Sequence, residues 1–177
     1  MQQMALPCAI EFYYIQSKIM NKIFLAVAST AIVLVPGVLA QRSTPVKQSP
    51  LLTVYFSLKD ALVMGDATEA AYLAESFARI VSVASTNTKQ NTLSAVLLKD
   101  ARAISATDKD IKLQRNKFAS LSLNMLSMVK SSDLTHNKVY HQYCPMKKSS
   151  WLSDSKVIKN PYYGNAMLTC GKVKETF

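Results

Sequence analysis

The sequence predicts a mainly α-helical domain, an antiparallel four-helix bundle with a C-terminal Cys/Met-containing β-ribbon and loop packed on it. Three observations lead there. Apolar residues recur at spacings of three and four in four stretches between residues 50 and 131. Caps and breakers separate those stretches at short intervals, which favours antiparallel neighbours. Beyond Lys138 the period switches to alternation among β-forming residues.

The first helix begins near Pro50. Leu51, Val54, Tyr55, Leu58, Ala61 and Leu62 lay one stripe along it, and Gly65 ends it. Asp66 followed by Glu69 has the spacing of a capping box and opens a second helix. Its inner face is Ala67, Ala70, Ala71, Ala74, Phe77, Ala78 and Val81, with small residues that let a neighbour approach closely. "STNTKQN" interrupts the pattern. A third helix follows from about Thr92 to Ser105, with Leu93, Val96, Leu97, Ala101 and Ile104 on one side. Asp108 reads as the cap of a fourth, whose Ile111, Gln114/Arg115, Phe118, Leu121, Met125 and Met128 turn inward before a Ser-Ser-Asp end. At that spacing the two methionines are core filler rather than ligands.

The last segment reads differently. "KVYHQYCPM" and "AMLTCGKV" each suggest a short strand, with turns between them at Ser153-Asp154-Ser155 and Asn160-Pro161-Tyr162-Tyr163-Gly164. A two-stranded ribbon is not stable alone in water, so it has to pack on the helices.

Upstream of the helices, "MNKIFLAVASTAIVLVPGVLAQ" has a basic start at Lys22, an apolar run from Ile23 to Val35 and small residues before Gln41. That pattern is a secretory signal with Met20 as the true start and cleavage after Ala40. Residues 1–40 are thus an N-terminal extension plus signal peptide, 41–49 a flexible tether and 50–177 the folded domain. The expected location is the periplasm, with no membrane span after signal cleavage. Cys8 then drops out, and Gln41 stands where a lipoprotein would need Cys.

Composition narrows the function. The formal net charge is +10, and the lysines from Lys138 to Lys174 face a single acid, Asp154. Outside the cytoplasm this basic end reads as a solvated face or a protein-docking surface, and nucleic acid is not an expected partner. The sequence has no HExxH, GxSxG or phosphate-binding glycine loop and only two His, so no enzyme is expected.

Residues 141–171 crowd together the groups with chemistry: His141, Cys144, Met146, Trp151, Met167 and Cys170. Two cysteines in an exported chain point to a disulfide, Cys144–Cys170. The same ends offer another product. Cys144 and Met146 lie two apart on an extended segment, Met167 and Cys170 three apart on a turn, and thiolate with thioether suits Cu(I) or Ag(I). His141 is an outer candidate ligand. Zinc would need His136 and His141 as well, because the sequence has no close Cys pair. Both readings of the sulfurs stay open here. Tyr140, Tyr143, Trp151, Tyr162 and Tyr163 are expected to dock the loop on the helices.

"YCPM" at 143–146, "WLS" at 151–153, "NPYYG" at 160–164 and "MLTCG" at 167–171 resemble the domain of unknown function 3347 family, as do "LKDALVMGD" and "QRNKFASLS" in the helices. The resemblance spans about residues 50–174. It implies an exported Gram-negative envelope domain, also found attached to copper and silver efflux adaptors, with no assigned catalytic activity. An efflux adaptor or a metal carrier is then the expected partner. The tail is also similar to heavy-metal-binding modules opening Tyr-Thr-Cys-Pro-Met-His and closing Cys-Gly-Met, from which it departs at Lys147 and after Gly171. In the family's context Trp151, Asn160, Pro161, Tyr162, Tyr163, Gly164 and Gly171 are the scaffold of the motif.

Overall fold

The structure, a computed structural model, describes residues 48–84, 91–134 and 136–177. The signal peptide, the start at Met20, most of the tether and the "STNTKQ" break fall outside them. Four helices come first: α1 (Pro50–Met64), α2 (Ala67–Ala84), α3 (Asn91–Ser105) and α4 (Ile111–Ser131). Three short strands follow: β1 (Tyr140–Cys144), β2 (Ser149–Ser153) and β3 (Lys172–Thr176), with a 3-10 turn at Gly164–Met167 before β3. Among the described residues no helix is long and apolar enough to cross a membrane.

Local chemistry sets the helix boundaries. Ser49 caps α1 through its hydroxyl on the Leu51 N–H, with Pro50 in the first turn, and Gly65 closes it in the left-handed conformation at φ 81°. Asp66 Oδ1 accepts from the Glu69 N–H at 2.9 Å and starts α2. The cap of α4 is Asp110, not Asp108: its carboxylate takes the Lys112 and Leu113 N–H groups at 2.9 and 3.1 Å. Asp108 instead sits at φ 47° in the turn ahead of it, where Asp tolerates the left-handed region.

Each helix packs most closely on its neighbour in sequence, β2 lies on α4, and the 3-10 turn lies on α1. The apolar stripes predicted for α2, α3 and α4 supply most of the core, with Phe77, Leu97, Ile104, Phe118, Leu121 and Met125 fully buried, whereas Val96, expected on the inner side of α3, is exposed. α1 exceeds its single predicted stripe. Leu52, Phe56 and Lys59 are buried as well, because the C-terminal segment covers the flank that the other helices leave open.

That segment is a three-stranded antiparallel sheet in the order β2-β1-β3, which corrects the two-stranded ribbon. Gln142 pairs with Trp151 across one edge of β1 and with Val173 across the other, with an irregularity between His141 and Gln142. "AMLTCGKV" becomes a strand only at Lys172. Its first residues spend their backbone bonds locally, Cys170 N–H on Met167 carbonyl at 3.1 Å and Asn160 N–H on Leu168 carbonyl at 2.8 Å. Residues 145–148 are a tight turn with Lys148 at φ 54°, and this turn makes "SSWLS" the missed partner strand.

Two polar anchors hold sheet and loop on the helices. Tyr55, fully buried in α1, lies 2.7 Å from Ser122 Oγ of α4 and accepts from the Leu152 N–H of β2 at 3.0 Å. Burial raises its phenol pKa well above the ordinary tyrosine range. Arg115 of α4 donates through Nε and Nη2 to the Leu62 carbonyl at 3.2 and 2.7 Å, capping the last turn of α1. Gly164 presses against the same guanidinium and the Val63 carbonyl at φ 52°, leaving no room for a Cβ.

The Tyr55 anchor gives a direct test. Tyr55→Phe keeps the ring but strands a buried Leu152 N–H, and unfolding in urea is expected to show a loss of about 1–3 kcal/mol with an unchanged slope.

Candidate functional site

β1 ends at Cys144, and the turn through Pro145, Met146 and Lys147 reverses the chain beneath it. Alternation along β1 sends Gln142 and Cys144 to one face, where both are fully buried. The segment between β2 and β3 folds over that face. Gln142 Nε2 donates to the Ser155 carbonyl at 2.8 Å, and Gly171 lies so close to Trp151 that a Cβ there would stand 2.8 Å from the indole. This closure brings Cys170 over Cys144.

The two sulfurs are 3.3 Å apart, and both residues are free thiols. Cys144 is fully buried, whereas Cys170 is half-buried between exposed Thr169 and, two residues on, exposed Lys172. The Lys147 N–H points at the Cys144 sulfur at 3.4 Å. Burial works against a thiolate at Cys144. The N–H of Lys147, the Cys170 thiol, the Asn160 side chain and the Met146 N–H outweigh it, and the thiol pKa falls below its ordinary value. Cys170 moves the other way, through its bond to Cys144, burial and the charge that builds on Cys144.

Asn160 organises the centre. It is fully buried; its Nδ2 donates to the Cys170 carbonyl at 2.8 Å, and its Oδ1 accepts from the Tyr162 N–H at 2.9 Å. Its own carbonyl takes the Gly164 N–H at 3.0 Å. Tyr162, packed on Phe118 and edge-on to Trp151, donates its hydroxyl to the Ser150 carbonyl at 2.5 Å. One side chain thus joins the turn at Tyr162 to the turn carrying Cys170. Its position in "NPYYG" marked it as scaffold, but its contact with the sulfur centre needs the three-dimensional closure.

Of the remaining candidates, Met167 adjoins this pair through its carbonyl, which accepts from the Cys170 N–H at 3.1 Å. Met146 sits in the turn rather than on the strand and is 64% exposed; Met167 is 40% exposed. Strand alternation therefore does not align Met146 with Cys144. His141 faces the other side of β1, with Nε2 on Ser150 Oγ at 2.9 Å and Nδ1 3.7 Å from Glu175 Oε2. Burial lowers its pKa, Glu175 opposing. His136 is exposed. Among the described residues no group of three or more His, Cys, Asp or Glu gathers as a metal cage. Trp151 and Tyr162 are buried, while Tyr140, Tyr143 and Tyr163 cover the sheet and loop only partly.

Fold and site together define a mainly helical domain closed by a small antiparallel sheet that carries a paired-thiol centre. The family model described as Protein of unknown function (DUF3347) matches residues 51–137, and this helical region belongs to that family. The match covers the four helices and stops ahead of β1, so the sulfur-bearing segment lies beyond it. Comparison with curated proteins and with solved structures gave no match.

Asn160→Ala removes two bonds and leaves the Tyr162 N–H and the Cys170 carbonyl without their partner. The expected result is a loss of about 2–4 kcal/mol in urea unfolding together with faster alkylation of Cys144, read by mass spectrometry.

Proposed function

We propose that the domain is a non-catalytic accessory binder of a soft monovalent metal, Cu(I) or Ag(I), acting in the periplasm beside heavy-metal efflux or resistance. The single observation supporting it is the Cys144–Cys170 pair, 3.3 Å apart, with backbone N–H groups directed at one sulfur. Two thiolates are soft donors and satisfy a monovalent soft ion, while a hard cation would want oxygen ligands. The exposed thioethers of Met146 and Met167 are candidates to close over a bound ion from the rim. His141, tied to Ser150, would have to leave its partner to join them. In this reading the helices, arranged as an antiparallel four-helix bundle, are the platform. The basic tail docks to an efflux adaptor or a metal carrier.

A second reading has its own support. The sulfurs lie 3.3 Å apart, between the roughly 3.8 Å of two thiolates on one tetrahedral ion and the roughly 2.05 Å of a disulfide bond. A permanent Cys144–Cys170 disulfide would then staple a non-catalytic interaction or scaffold module of the envelope.

Anaerobic titration separates the two. The reduced protein is expected to take up about one Cu(I) per chain against a competing chelator. Cys170→Ser should weaken that by roughly two orders of magnitude, and Met146→Leu by about tenfold. Absence of Cu(I) uptake by the fully reduced chain would eliminate the metal reading. The staple reading instead expects the Cys144→Ser/Cys170→Ser variant to lose about 3–4 kcal/mol relative to the oxidised protein.

A further inference from the structure

The two sulfurs face different surroundings. Cys144 is sealed at the end of β1 with no exposed surface, and the Lys147 N–H approaches it from the turn that follows. Cys170 is half-buried on the turn before β3, with Thr169 exposed before it and Lys172 exposed two residues after, and its carbonyl is fixed by Asn160. An incoming group can therefore reach only one of them. Negative charge, by contrast, is better received at the other.

We propose that the pair is a thiol–disulfide exchange centre of fixed polarity, in which an external thiolate attacks Cys170 and Cys144 is the leaving sulfur. The co-reactant is a small thiol or a dithiol carrier. In the first step its sulfur bonds to Cys170 Sγ as the Cys170–Cys144 bond breaks, and the electron pair stays on Cys144 Sγ, facing the Lys147 N–H. In the second step another thiolate attacks the co-reactant's sulfur in this mixed disulfide. A disulfide of the co-reactant departs, and Cys170 leaves as thiolate and takes a proton from water. Two electrons have passed from two thiols to the protein. Run in reverse, a disulfide co-reactant oxidises the pair, with Cys144 closing on the mixed disulfide at Cys170.

The centre shares its residues with the proposed metal site but needs no metal, so either can fail alone. Exchange at Cys170 would also gate metal binding, since only the reduced pair offers thiolates.

The test uses the oxidised protein, reacted with limiting glutathione, quenched in acid, alkylated and mapped by peptide mass spectrometry. Glutathione is expected on Cys170 and the alkyl label on Cys144. Glutathione on Cys144, or spread evenly over both, overturns the proposal. So does a pair that stays reduced under excess diamide. In case the mixed disulfide is too short-lived to map, the single variants decide. Cys144→Ser should react with an aromatic disulfide at least about tenfold faster than Cys170→Ser, as accessibility requires. Equal or inverted rates overturn the assignment. The emission of the sole tryptophan, Trp151, which packs against Gly171 beside Cys170, reports whether each variant retains the closed loop, and copper uptake by the reduced protein is read separately.

Discussion

A hydroxyl in the middle of the core, that of Tyr55, supports everything beyond the helices. The sheet depends on the helices for its buried face: every residue of β3 is exposed, and short strands need an apolar face or a helix to pack against. They persist because β2 is bonded to α1 through Tyr55 and packed on α4. Arg115 does the equivalent at the end of α1, where the 3-10 turn arrives. Between those two anchors the connection from β2 to β3 folds back over the sheet and ends with Cys170 3.3 Å from Cys144.

The same closure explains why the sulfurs differ. A residue at the inner end of a central strand is buried by whatever covers the sheet, so Cys144 is sealed. A residue on the covering turn keeps one side in solvent, so Cys170 is reachable. The polar groups that hold the turn, Asn160 above all, also surround Cys144. Stability and reactivity therefore come from the same contacts, and changes to the scaffold should be felt at the thiols.

Much of the helical part was legible in the sequence, because its signals are local. A Pro50 start, a Gly65 stop and alanines at three and four spacing act within a turn or two. The extra burial on α1 was not legible, since Phe56 and Lys59 are covered by residues a hundred positions away. The tail shows the same limit more sharply. Alternation marked β1, but "SSWLS" is short and sits behind a turn whose Lys148 gives no glycine signal. "AMLTCGKV" looked extended because its local backbone bonds, Cys170 to Met167 and Asn160 to Leu168, depend on where Asn160 is buried. The meeting of Cys144 and Cys170 was expected from the pairing of two segments; β1 and β3 do pair antiparallel, Tyr143 with Lys172, and the sulfurs meet next to that end of the pairing, with Cys170 on the turn ahead of β3. His141, expected as an outer ligand, lies on the opposite face of β1 from Cys144, and the parity expected to align Met146 with Cys144 fails because Met146 lies past the strand's end.

The central claim is that the folded helices and loop hold the sulfurs of positions 144 and 170 within bonding reach. Its most direct measurement is the equilibrium of this thiol pair with a dithiothreitol redox buffer, once in native conditions and once in concentrated urea. The intramolecular disulfide is expected to resist reduction far more in the folded chain, by a factor matching the stability it adds on unfolding. Equal resistance in both conditions would contradict the claim.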